Sequence, residues 1–173
     1  MVVNSTKEYF SGEPHMLQVV LRGVECRRLN PLISERAVLE MLWAWDSLSA
    51  VTCCRSLVVV YDSSCVLQIG VAAESLLEAG DAMDVDVKKL LQGSLCRSAM
   101  ESQKQSYLAN LSLYLGKSEL PFLPTNTQSV ILQPIGDNGV AKIGGNTIRG
   151  FNNTDQAWIT LIAEKLEATL STS

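Results

Sequence analysis

The sequence predicts an α+β domain: one central antiparallel sheet of about five or six strands, with the first and last long helices packed on one face. Three stretches predict it. Residues 129–135 (Ser-Val-Ile-Leu-Gln-Pro-Ile) and 140–148 (Val-Ala-Lys-Ile-Gly-Gly-Asn-Thr-Ile) are β-type runs joined by Asp137-Asn138-Gly139, and Asn-Gly is the strongest short hairpin signal. Downstream, Asn152 caps a helix whose Ile159, Ile162, Ala163, Leu166 and Leu170 fall on one stripe, the spacing that turns a helix face to a core. Upstream, Leu57-Val58-Val59-Val60-Tyr61 is almost continuously apolar, as suits a central strand covered on both faces.

The remaining elements follow in order. Residues 1–15 are polar and carry Gly12 and Pro14; they read as a loose N-terminus, with a single domain over 16–171. Residues 16–28 form an edge strand, on the β-branched and apolar content of Met16–Leu21. Ser34 and Glu35 open a helix in which Val38, Leu42, Trp45 and Leu48 or Ser49 recur at helical spacing, with Met41 alongside, ending near Thr52. Asp62-Ser63-Ser64 turns the central strand into Val66–Val71, a second hairpin. Acidic residues 74–84 connect to two helices, Asp86–Leu91 and Leu95–Ser102, before a short strand at Tyr107-Leu108-Ala109. The loop to Thr127 holds Gly116, Pro121 and Pro124, which oppose regular pairing. Its apolar content, including Leu111, Leu113, Tyr114, Leu115 and Phe122, argues for packing or binding over disorder.

Composition narrows the function classes. A length of 173 residues suffices to bury a core without metal or disulfide support. A net charge of −4, with no basic cluster larger than Arg27-Arg28, offers nothing to a phosphate backbone. Five cysteines (Cys26, Cys53, Cys54, Cys65 and Cys96) with no Cys-x-x-Cys argue against a disulfide scaffold and a zinc site, and for a reducing compartment. No apolar run approaches the ~18 residues of a membrane helix, and Met1–Val20 lacks the apolar centre of a signal peptide.

Strand, tight turn, Gly-rich strand, Phe151 and capped amphipathic helix is the closing pattern of GAF-like sensory domains, which residues 128–170 resemble. Three further segments narrow the likeness: Leu42-Trp43-Ala44-Trp45-Asp46-Ser47-Leu48 with Thr52-Cys53-Cys54-Arg55-Ser56; Tyr107-Leu108-Ala109-Asn110-Leu111 with Leu120–Gln128; and Arg149-Gly150-Phe151 with Asp155-Gln156-Ala157-Trp158. Together they resemble the soluble region of the cofactor-assembly-of-complex-C proteins, B-subunit family, over most of residues 34–170. The resemblance implies a factor for covalent attachment of a c-type haem to cytochrome b6 during biogenesis of the cytochrome b6f complex. It further implies work at the thylakoid membrane of chloroplasts or cyanobacteria, with this domain on the stromal side. The partners implied are a related assembly-factor protein, as homo- or heterodimer, and apocytochrome b6. Membrane attachment would come through parts not in this chain, and no family motif carries a catalytic or haem-binding residue over.

The residues themselves offer little reactive chemistry. Adjacent Cys53 and Cys54 have no histidine beside them to lower a thiol pKa, so they read as buried structural cysteines, with Arg55 paired to a carboxylate. The lone histidine, His15, lies in the loose terminus, so no stable haem ligation is expected and haem is handled in passing at most. Gly144-Gly145 sits in a strand and reads as room for another backbone rather than a phosphate loop. Glu40, Asp46, Glu164 and Glu167 fall on polar helix faces.

Surface readings are stronger. Trp43 and Trp45 stand about 200° apart on a helix; Trp45 suits the core and Trp43 a partner. With Leu113, Tyr114 and Phe122 of the long loop, Trp43 makes up the expected partner-binding set. The function expected is therefore a non-enzymatic scaffold with no catalytic or metal site. Its rivals are a small-molecule sensor, which requires a concave pocket with converging polar groups, and a GAF-type thiol reductase, which requires two cysteines within disulfide reach.

Overall fold

Local signals account for most element boundaries in the computed structural model, which describes residues 17–172. The expected loose N-terminus, His15 and the first residue of the expected edge strand lie outside the described residues. Strand β1 covers Val24–Leu29, later than expected; residues 17–22 precede it without regular structure. Helix α1 runs Glu35–Val51, started by the Ser34 side chain accepting from the Ala37 amide. Strands β2 (Cys54–Tyr61) and β3 (Ser64–Ala72) are joined by Asp62 and Ser63, both left-handed, at φ 49° and 61°. That is the twist a two-residue hairpin loop demands. Helices α2 (Val87–Gln92, capped by Asp86) and α3 (Ser94–Ser102) follow, then β4 (Ser106–Leu108).

The long loop folds into two short 3-10 turns, Leu111–Leu113 and Leu115–Glu119. It leads to β5 (Ser129–Ile135), β6 (Gly139–Gly145) and helix α4 (Asn153–Leu170). Gly139 is already a strand residue, facing Ile135. The β5–β6 turn is therefore Gly136-Asp137-Asn138, and its left-handed residue is Gly136 (φ 57°), not the glycine of the Asn-Gly pair. Asn152 and Asp155 close a reciprocal capping box on α4.

All neighbours in the six-stranded sheet are antiparallel, in the order β1-β3-β2-β6-β5-β4. The central strands are covered on both faces, and β2 alternates between them. Leu57, Val59 and Tyr61 join the core beneath α1 and α4, whereas Val58 and Val60 join that beneath α2, α3 and the 3-10 turns. Each strand residue thus points to the face opposite its neighbour's.

Every residue of the expected α4 stripe is buried. On α1 the buried stripe is Ala37, Met41, Ala44 and Leu48, one position away from the expected Val38–Leu42–Trp45. Two alanines admit the helix backbone close to the sheet, so the larger Leu42 and Trp45 pack at the flank. Glu40 reaches across to Lys165 at 3.9 Å and to the Thr169 hydroxyl, joining α1 to α4.

Candidate functional site

The three segments that carry the family likeness converge at one end of the sheet. The Arg149 amide donates to the Ala109 carbonyl (2.8 Å), Gln128 to Gly145 (2.9 Å), Leu111 to Gln128 (2.9 Å) and Asn146 to Cys53 (3.1 Å). The Phe151 amide donates to the Tyr107 hydroxyl at 3.1 Å, and the two rings meet edge to face with centroids 6.0 Å apart. A Cβ on Gly145 would lie 2.7 Å from Ser129 Oγ and 2.8 Å from both Cys53 Sγ and Phe151. The space at this glycine therefore goes to three side chains, not to the second backbone expected from sequence. These motifs bind the 146–151 turn to the sheet and so set where α4 begins.

Cys53 and Cys54 belong to this packed region and to the first core. Burial pushes the Cys53 thiol up to about 11, against a counteracting hydrogen bond with Ser129, and the Cys54 thiol up to about 12. Arg55 hydrogen-bonds the carbonyls of Ser49, Thr52 and Cys54 rather than a carboxylate. All five cysteines are free thiols. No group of three or more potential metal ligands gathers among the described residues.

The surface residues separate into accessible and inaccessible ones. Trp43 is 44 % exposed on the outer side of α1, one turn from exposed Leu39. The Lys165 ammonium lies 4.7 Å from its ring centroid, and exposed Leu161 stands one turn before Lys165 on α4. This apolar strip spans the α1–α4 layer. Leu39 and Leu161 lie off each helix's buried stripe, so periodicity gives no signal for them.

In the long loop, Leu113 and Leu115 are exposed and Tyr114 partly so, while Leu111, Leu120 and Leu123 are buried. Phe122, expected at an interface, is instead 2 % exposed in the second core. The loop folds back so that its aromatic anchor fills the chain's own interior. Glu119 fastens the loop to α3, accepting from the Ser94 amide (2.9 Å), the Ser94 hydroxyl (2.7 Å) and the Leu95 amide (2.9 Å). Burial raises its pKa, but these hydrogen bonds outweigh that and hold the carboxyl below its usual range.

One polar residue of functional interest is absent from the sequence-based expectations. Lys142 of β6 is 0 % exposed in the second core, and its Nζ has no hydrogen-bond partner. A cation between Ala141 and Ile143 in a buried strand was the available signal, since strand alternation puts Val140 and Lys142 on the same face.

The profile of the family described as cofactor assembly of complex C, B subunit, CCB2/CCB4, matches residues 2–166. The chain is 59 % identical over 149 residues to CCB4, the chloroplastic cofactor assembly of complex C protein of Arabidopsis thaliana. The match takes in 86 % of this chain and 50 % of that protein, so the chain spans about half the length of that relative. Among solved structures, it resembles a type II free methionine-R-sulfoxide reductase from Thermoplasma acidophilum, with TM-score 0.56 and 17 % identity over 80 % of this chain and 94 % of that one. It also resembles the GAF domain of a phosphoenolpyruvate-protein phosphotransferase from Coxiella burnetii, with TM-score 0.52 and 18 % identity over 78 % and 83 %. At these identities the likeness is one of fold, and the fold is GAF.

Proposed function

We propose, for a chain that belongs to the CCB2/CCB4 family of cofactor assembly of complex C proteins, that it is a non-enzymatic scaffold in the assembly of the cytochrome b6f complex. It holds apocytochrome b6 and a related family protein while a c-type haem is attached covalently. It works at the thylakoid membrane of a chloroplast, with this domain on the stromal side. Haem is cargo, and the bond-forming chemistry belongs to the haem and its acceptor.

The observation that carries this reading is the apolar strip on the outer side of the α1–α4 layer, Leu39 and Trp43 with Leu161. A half-exposed Trp with a cation over its ring is the kind of residue that concentrates binding energy at an interface. Leu113 and Tyr114 on the loop provide a second contact for the apocytochrome. Among the described residues no helix is long and apolar enough to cross a membrane.

The test is co-purification from thylakoid extracts with the full chain as bait. A related family protein and apocytochrome b6 are expected in the eluate, and Trp43→Glu is expected to lose the related protein while retaining wild-type circular dichroism. Recovery of neither partner would overturn the proposal.

A further inference from the structure

Lys142 lies in a row that crosses the second face of the sheet. It pairs with Val58 of β2 and Leu132 of β5; Val58 pairs with Gln68 of β3, and Gln68 with Arg28 of β1. The two titratable groups that act on the Lys142 charge are the thiols of Cys96, from α3, and Cys65, from β3. Neither supplies an acceptor, since the ammonium is unpartnered and 0 % exposed. An isolated buried cation is among the costliest groups a core can hold. Side chains that break the rules of packing concentrate where a ligand is awaited.

A hollow of about 390 Å³ opens beside this row, lined by Arg28, Cys65, Gln68, Asp84 and Val85 among others. That is within the range of small-molecule sites, roughly 300–1,000 Å³. Cys65 and Gln68 border both the hollow and the Lys142 row. Asp84 and Val85 wall one side of the hollow, on a segment held by side chains and backbone together: Arg28 donates to the Ala82 carbonyl (2.8 Å) and to Asp84 (2.7 Å), Gln68 to the Met83 carbonyl (2.9 Å), and the Met83 amide to the Ala73 carbonyl (2.7 Å).

We propose that Lys142 is the anion anchor of a ligand site on this face, and that the site takes a small amphipathic carboxylic acid. One ammonium matches one carboxylate, and Leu29, Pro31 and Val85 in the lining of the hollow suit an apolar body. A phosphate would bring a second charge, and the other cation of the hollow, Arg28, is already paired with Asp84. The carboxylate enters from the hollow past Cys65 and Gln68. This site lies on the opposite face from the Trp43 strip and stands or falls apart from the docking reading.

The test uses the full chain with octanoate as probe and octanamide, its uncharged counterpart, as control. Octanoate at about ten times its Kd is expected to raise Tm by roughly 3 °C, octanamide to leave it unchanged, and Lys142→Met to abolish the octanoate response while melting no lower than wild type. Near pH 8.5 octanoate binding should take up protons at Lys142, because burial raises the Cys65 and Cys96 thiols and the Arg28–Asp84 ion pair is in place without ligand. Calorimetric heat should then vary with the ionisation enthalpy of the buffer. Should Lys142→Met fail to fold, NMR of the wild-type lysine ammonium groups decides the matter, with octanoate expected to shift the Lys142 signal and raise its titration midpoint. Equal responses to octanoate and octanamide, a wild-type response in Lys142→Met, or no response to octanoate at about 10 mM would each overturn the proposal.

Discussion

The Lys165 ammonium stands 4.7 Å from the centroid of the Trp43 ring, so the most exposed tryptophan of α1 is held by a charge from α4. The ring is thereby oriented while one side remains open to solvent. Trp43→Ala should weaken binding of the related family protein at least tenfold, since an aromatic hot spot contributes about 2 kcal/mol or more to an interface. Stability of the isolated chain should change by no more than about 1 kcal/mol, the scale of an exposed cation–π contact. Surface plasmon resonance and urea unfolding measure the two effects separately.

Lys142→Met should stabilise the protein at pH 7. Burial lowers the Lys142 pKa to about 8 from 10.5, which corresponds to a penalty on the order of 3 kcal/mol. Between those values the unfolded chain binds more protons than the folded one, so the Lys142 contribution makes stability rise with pH. The penalty is full below about pH 8 and fades toward 10.5. The cysteines act in the opposite sense: their raised folded pKa values make stability fall above the unfolded thiol pKa. Urea unfolding of wild type and Lys142→Met in parallel cancels the thiols. The advantage of the variant should shrink between pH 7 and pH 9.5; an advantage that grew would contradict the assignment.

Cys53 and Cys54 should resist alkylation in the native state. With pKa values near 11 and 12, the thiolate fraction at pH 8 is on the order of one in a thousand or less. Iodoacetamide labelling followed by peptide mass spectrometry should show Cys54 among the slowest sites, with all five reacting promptly in urea. Rapid native labelling of either residue would revive the thiol-enzyme reading.

Gly145→Ala should destabilise by about 1–3 kcal/mol, the usual range for overpacking a filled core. The added methyl meets Ser129, Cys53 and Phe151 within 2.8 Å. Because Phe151 also donates its amide to Tyr107, near-ultraviolet circular dichroism should report the displaced tyrosine as well as the lower midpoint.

Glu119→Gln should release the 111–119 loop without unfolding the sheet. Three hydrogen bonds hold Glu119 to the start of α3 and keep its carboxyl ionised below the usual range. A depressed carboxyl stabilises above its unfolded pKa, and that stabilisation is lost as pH falls through the folded value. Limited proteolysis at neutral pH should cut the variant near Leu113–Leu115 faster than wild type, with the difference narrowing in acid.

Much of this architecture is written in short-range chemistry. Ser34 and Asn152 mark the starts of α1 and α4 because capping involves residues only three apart. The α4 stripe and the in-and-out alternation of β2 follow from backbone periodicity alone. The family likeness was legible too, though the way its motifs meet in space was not. Tyr107 and Gln128 are distant in sequence from the Arg149–Phe151 turn and meet it only when β4, β5 and β6 are in register.

What tertiary structure alone decided concerns which surfaces are covered. Phe122 turns inward because its loop closes over the second face, and α1 settles one position from its expected stripe because Ala37 and Ala44 admit the sheet closely. Lys142 is isolated for the same reason: α2, α3 and the loop stack above β6 from distant parts of the chain. Periodicity assigns a side chain to a face, but what lies opposite that face is a long-range property that no local window contains.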